Sequence, residues 1–401
     1  MTSRERVLAT LEHRSTDRAP VDIGGTAASG FSVFSYSSFK RAMGLPDSDI
    51  RAIDIFGMLA FVDGAGADAV GVDTVLAPEL CPRFGVKIDR WKEFSFWDGH
   101  KYLVPEDMTV QRDEDGALLL MSDGKAVGKM CKGGYYFSEI ANSSMSFDCF
   151  PDEVPLARDK QFIDSYTDEE LRFREKTAKE LFESSDKAVI VDVTENIRWD
   201  ASIPEWLYCI ALDPDRANEL HEKKSLALLS KIKQLAQATA KYSQVFAIYQ
   251  DWGTQRSELV HPDVFKAIVA PHYKRIFDWI HQNTEWKVFF HSCGSIFSII
   301  PHMIEMGVDI LNPVQTDAAN MQPEKLKAAY GDQLVFWGGG IDTQSVMITG
   351  TPEQIKEQVQ DRIQVLGKNG GYVFAPTQSI QADIPVKNIM AVIEALKGVQ
   401  M

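Results

Sequence analysis

Lys287-Val288-Phe289-Phe290-His291-Ser292-Cys293-Gly294 joins a short apolar run to a polar, thiol-bearing turn, and the way it ends decides the fold. Five other runs end alike. Ala188–Val193 hands over to Thr194 and Glu195, and Val245–Tyr249 to Gln250 and Asp251. Val308–Leu311 leads to Asn312 and Gln315, and Val335–Trp337 to Gly338-Gly339-Gly340 and Asp342. Tyr372–Ala375 leads to Pro376, Thr377 and Gln378. Continuous apolar runs of this length are strands buried on both faces, and helical patterns such as Asp263–Gln282 and Pro352–Leu366 lie between them, which predicts βα units and a parallel sheet. Thr351-Pro352-Glu353-Gln354 reads as a helix start.

In a (β/α)₈ TIM barrel all such strand ends converge on one catalytic face, whereas an open doubly wound sheet would scatter them along an edge. The pattern therefore favours an α/β chain with the (β/α)₈ barrel architecture. Its earliest strand is Ala19–Ile23, followed by Gly24-Gly25-Thr26. Upstream of about residue 165 the texture changes to short β-like pieces, Cys81–Val86, Trp91–Phe96 and Leu118–Met121. The expected organisation is one domain over residues 1–401, with an N-terminal extension and an inserted short-strand segment at about 73–165.

Composition narrows the function classes. With 42 Lys and Arg against 57 Asp and Glu, the 401-residue chain carries a net charge of −15 and no basic block, which disfavours nucleic acid. No apolar run approaches a bilayer span. The N-terminus is charged and helical in pattern, and the five cysteines (Cys81, Cys131, Cys149, Cys209, Cys293) form no CxxC pair. A cytoplasmic protein without a disulfide framework is expected. A homodimer is compatible with the sequence.

Alternation in an extended segment puts His291 and Cys293 on one side, and imidazole with thiolate suits zinc. The bland alternative is a buried histidine bonded to backbone, with cysteine as a small hydrophobe. A catalytic zinc wants a third protein ligand, and the other strand ends offer Glu195, Asp251, Asp342 and Gln378, of which a neutral Gln is a poor one. Asp251 also fits a general base or a helix cap, and Asp251 and Glu195 are the candidate catalytic carboxylates. Asp342 follows three glycines, which fits either close approach to a ligand or a tight turn. Trp252, Gln315, Asp342 and Gln378 are candidate substrate-binding residues. Among Trp252, Trp337, Tyr135, Tyr136 and Phe137, one or two could wall a pocket.

Several segments together resemble the uroporphyrinogen decarboxylase superfamily. They are Ser3–Leu8 with Asp17–Asp22, Asp251-Trp252-Gly253-Thr254-Gln255, HSCGS at 291–295, GVDILNPVQ at 307–315, FWGGGIDTQ at 336–344 and the stretch from Gly370 to Pro385. The resemblance spans nearly the whole chain and implies a TIM barrel. Decarboxylases of the family carry an Arg-rich RQAGR motif that grips tetrapyrrole carboxylates. Here that region reads Ile23-Gly24-Gly25-Thr26-Ala27, without arginine. The other branch comprises zinc methyltransferases that work with corrinoid proteins and bind zinc through an HxC pair plus a later Cys or His. His291 and Cys293 match the pair, but the later positions hold Ile341 and Gln378.

The resemblance thus implies a zinc-dependent methyltransferase, in the corrinoid-dependent branch. It would move a methyl group between a small methylated compound, with a methoxylated aromatic (O-demethylation) suggested by the aromatic content, and a corrinoid protein or a thiol or pterin acceptor. Zn²⁺ and a corrinoid supplied by the partner protein are the implied cofactors. A metal-independent decarboxylase or lyase using Asp251, and a non-catalytic small-molecule-binding barrel, are the alternatives.

Overall fold

The computed structural model describes residues 1–82, 84–140, 163–199 and 202–398. In chain order the strands are β1 (Ala52–Asp54), β2 (Leu59–Ala60), β3 (Thr74–Ala77), β4 (Trp91–Ser95), β5 (Lys101–Pro105), β6 (Thr109–Arg112), β7 (Leu118–Ser122), β8 (Lys125–Met130) and β9 (Ser138–Glu139). There follow β10 (Ala188–Val193), β11 (Val245–Tyr249), β12 (Lys287–His291), β13 (Ile310–Asn312), β14 (Val335–Trp337) and β15 (Tyr372–Val373). Seven of them form one parallel sheet in the order β15-β14-β13-β12-β11-β10-β3.

The sheet is curled and TIM-like, and the segment around Val21 touches both of its edge strands' neighbourhoods. The Asp22 N–H donates to Phe374 O at 2.8 Å and Phe374 N–H to Pro20 O at 2.8 Å. On the other side the Asp73 N–H donates to Val21 O, also at 2.8 Å. Helices separate the strands, as parallel connections require. They include Pro214–Thr239, Ala270–Asn283 and Pro352–Leu366, the last capped by Thr351 and Gln354 in a capping box.

Side-chain alternation sorts the strands into two apolar clusters. Ala188, Ile190, Val245, Ala247, Phe289, Ile310, Val335, Trp337 and Val373 pack together on the inner face. Their neighbours Val189, Val191, Phe246, Ile248, Val288, Phe290, Leu311 and Phe336 pack outward against helices. The helix Ser3–Leu11 adds Val7 and Leu11 to the inner cluster. Because the period is two, the same parity carries Asp192, Tyr249, Asp251, His291, Cys293 and Asn312 inward at the C-terminal strand ends. The site is thus placed by register.

Between β3 and β10 the described residues hold the antiparallel pair β4-β5 and the antiparallel sheet β6-β7-β8-β9. One boundary needs correction. The expected insertion from residue 73 includes Thr74–Ala77, but this segment pairs in parallel with Ala188–Val191 and belongs to the main sheet. The described residues between Cys81 and Val86 form turns and bends rather than a strand, and Cys149 lies outside the described residues. The pattern over Asp263–Gln282 is also broken, with five residues of π-helix at Phe265–Val269. No helix among the described residues is long and apolar enough to cross a membrane.

Candidate metal centre

β12 delivers His291 at its last position, and the chain then turns through Ser292, Cys293 and Gly294. Gly294 has φ of 90°, and a Cβ there would collide with the Gly253 backbone. A Cβ at Gly253 would in turn press on the Cys293 carbonyl. Glycine at both positions lets the loop after β11 cross the loop after β12 in contact. Three bonds fix the crossing. Trp252 N–H donates to Ser292 Oγ at 2.9 Å, Ser295 N–H to Thr254 O at 2.7 Å, and Cys293 N–H to Asp251 Oδ1 at 2.9 Å.

The crossing brings three donors of different chemistry together. Cys293 Sγ lies 3.3 Å from His291 Nε2, and Asp251 Oδ1 lies 3.5 Å from the same nitrogen. One ligand atom from each residue falls within 4.8 Å of the others. The far nitrogen of the imidazole is already assigned. His291 Nδ1 pairs with Asn312 Oδ1 at 2.6 Å, and Asn312 Nδ2 donates to Trp337 O at 2.7 Å. The amide's orientation is thereby set by a backbone carbonyl, which makes Nδ1 the protonated nitrogen and leaves the Nε2 lone pair facing the thiol and carboxylate.

Burial alone would depress the His291 imidazole, but Cys293 and then Asp251 overcome it and push the group up to about 9. At Nε2, then, the neighbouring thiol and carboxylate favour positive charge. An N, S and O donor set of this kind, with its histidine held from behind, suits zinc. These residues therefore fit the metal that the sequence resemblance implies.

Gln378 and Gln315 support the same loop from β15 and β13. Gln378 Nε2 donates to Cys293 Sγ at 3.1 Å. Gln315 Oε1 accepts from Gly294 N–H at 2.8 Å, and its amide nitrogen donates to Gln255 Oε1. Gln378 also lines an open outer groove with Tyr135 and Tyr136.

The remaining candidates lie elsewhere or are already engaged. Glu195 accepts from Lys224 Nζ at 2.6 Å and from Lys231 Nζ, both on the helix Pro214–Thr239. Burial would raise its carboxyl, but the two lysines hold it below the usual range. Asp342 accepts from the Gln344 N–H at 2.7 Å and from the Ser345 N–H and hydroxyl, closing the turn after the glycines. Trp252 and Trp337 are fully buried, Trp252 lying 4.7 Å from the Trp206 ring and edge-on to Phe265. Local partners thus engage Glu195 and Asp342 and enclose the Trp252 ring.

Asn312 was visible in the sequence only as a polar residue at a strand end. Its inward parity with Ile310 is the signal that would have assigned it. Tyr249, also inward, places its ring 5.5 Å from that of His291 and donates its hydroxyl to Asp192 Oδ2 at 3.2 Å.

Comparison with known proteins places the chain. Residues 200–399 match the family described as uroporphyrinogen decarboxylase (URO-D), and the chain belongs to that superfamily. Among solved structures, a methyltransferase from Methanosarcina mazei superposes with a TM-score of 0.58 at 15% identity, covering 99% of this chain and 98% of that one. This likeness is one of fold. No curated protein sequence matches the chain.

Proposed function

We propose that the chain is a zinc-dependent methyltransferase, a single (β/α)₈ domain with an N-terminal extension and a short-strand insertion, working in the cytoplasm with a corrinoid protein. The observation that carries this reading is the convergence of Asp251, His291 and Cys293 at the C-terminal strand ends. Asp251 takes the place of the later Cys or His of the resembled pattern, and Gln378 serves the thiolate as a hydrogen-bond donor.

Zinc held by Asp251, His291 and Cys293 would supply Lewis acidity, polarising a methyl-bearing heteroatom or lowering the pKa of a thiol acceptor. Asn312 fixes the imidazole so that Nε2 stays available. Gln378 spreads the charge of the Cys293 sulfur, and the Cys293 N–H steadies the Asp251 carboxylate. The groove beside Tyr135, Tyr136 and Gln378 leaves an approach for the corrinoid and for a small methylated compound. Of the aromatic residues considered for a pocket wall, Tyr135 and Tyr136 line this groove, whereas Trp252, Trp337 and Phe137 are buried in the core.

A decarboxylase acting on a polyanionic tetrapyrrole fits poorly. Gly24, Thr26 and Ala27, from the segment that lacks arginine, line a cavity together with Asp54, Glu79 and Asp192. Carboxylates there would repel such a substrate. Purified protein with added zinc should transfer methyl groups to a reduced corrinoid protein, and chelation should abolish the transfer. Activity that survives complete zinc removal but is lost in Asp251→Asn would favour the metal-independent lyase instead.

A further inference from the structure

Asp251 is the exposed member of the metal centre. Its side chain is 52% exposed, against 12% for His291. Among the described residues its carboxylate accepts one hydrogen bond, from the Cys293 N–H. A half-exposed carboxylate held this lightly loses rotamer freedom when it takes an ion. The residues on either side of it are, by contrast, buried and bonded. Gln250 donates its N–H to the His291 carbonyl at 3.0 Å, and its Oε1 accepts from the Tyr273 hydroxyl. Trp252 donates its N–H to Ser292 Oγ at 2.9 Å, and its carbonyl accepts from the Leu259 N–H at 2.7 Å.

The Trp252 ring is gripped from two sides. Trp206 lies 4.7 Å from it, and Phe265 stands edge-on at 5.0 Å, all three side chains being fully buried. Both walls of this clamp are themselves tied to one histidine. Trp206 Nε1–H donates to His221 Nε2 at 2.9 Å, so His221 Nδ1 carries the proton and donates to the Ile268 carbonyl at 3.0 Å. Ile268 belongs to the same π-helical turn as Phe265, in which the Ala270 N–H reaches back five residues to the Phe265 carbonyl. Pro271 follows at once, and a proline ring crowds the carbonyl one turn back, which the wider turn relieves.

We propose that Trp252, clamped between Trp206 and Phe265, is a positioning residue that holds the Asp251 carboxylate at the metal site. The proposal rests on the metal centre described above. The indole N–H has no acceptor among the described residues, so the ring acts through its faces and edges. Removing the aromatic contacts should therefore loosen Asp251 without removing a ligand, and phenylalanine, which gives up only an unpaired donor, should largely rescue it.

The test is zinc affinity of the full chain by competition with a chromogenic chelator, alone and in the Asp251→Ala background. Trp252→Leu and Phe265→Leu should each weaken zinc about tenfold, and Trp252→Phe by less than about threefold. In the Asp251→Ala background Trp252→Leu should weaken it no further, because its effect passes through that carboxylate. Phe246→Leu, which trims a ring stacked on Trp286 at 5.5 Å on the same strand's outer face, should lower the melting temperature and leave zinc affinity unchanged. Should Trp252→Leu fail to fold, Phe265→Leu carries the same comparison. Unchanged affinity in the folded variants, or an equal weakening without Asp251, would overturn the inference and leave the metal centre standing. No zinc binding by the unaltered protein would overturn the metal centre and this inference with it.

Discussion

His291 and His221 are two imidazoles enclosed by the same fold, and their surroundings push them in opposite directions. His221 is fully buried, with Nδ1 bonded to the Ile268 carbonyl at 3.0 Å and Nε2 accepting from Trp206 Nε1–H at 2.9 Å. Both nitrogens are committed to neutral partners, and burial, together with His272, drives its pKa down to about 3. His291 has one nitrogen committed and the other facing a thiol and a carboxylate, and it is pushed up to about 9. A histidine closed by neutral partners holds a core together, while one left open toward anions is available to a cation.

The largest expected effect is at the open site. His291→Ala or Cys293→Ala should lose bound zinc and lower methyl transfer by more than about a hundredfold, with the fold intact by circular dichroism. The closed site should instead register in stability. The folded-state pKa of His221 lies below the unfolded value near 6.5, so its contribution is complete above that pH. It is lost as the pH falls from 6.5 toward 3, at up to about 1.4 kcal/mol per unit. Urea titrations over this range should show the loss in the unaltered protein and a smaller one in His221→Gln. Next in size is Asn312→Ala. Freeing Nδ1 should weaken zinc binding by about 10–100-fold, read by competition with a chromogenic chelator, without removing a ligand.

Two smaller effects extend the contrast to carboxylates. Glu195→Gln removes the carboxylate that Lys224 and Lys231 share. Because Glu195 is 35% exposed, solvent reduces the cost to about 1–2 kcal/mol in chemical denaturation, with zinc content unchanged. Asp342→Ala removes the acceptor of its turn and should cost about 1 kcal/mol by the same measurement, again with zinc content unchanged.

The strand ends were readable because parallel strands buried on both faces leave uninterrupted apolar runs, and His291-x-Cys293 was readable because alternation needs no partner. Thr74–Ala77 was not, since a four-residue run between Asp73 and Pro78 resembles the short strands of the insertion that follows it. Only its pairing with Ala188–Val191, far along the chain, assigns it. Glu195 and Asp251 looked alike, each a carboxylate just past a strand. They differ because Lys224 and Lys231, 29 and 36 residues further on, return along a helix to the first, while the second meets a loop from the next strand. Which polar groups are already satisfied is a property of tertiary contacts, and a list of strand ends does not contain it.

Cobalt(II) substitution tests the three-donor centre most directly, because a cobalt–thiolate bond has its own near-ultraviolet charge-transfer absorption. One equivalent should bind with that band present, vanish from it in Cys293→Ser, and bind more weakly in Asp251→Asn and His291→Ala. Absence of the band from the unaltered protein, or its persistence in Cys293→Ser, would contradict a metal held by Asp251, His291 and Cys293.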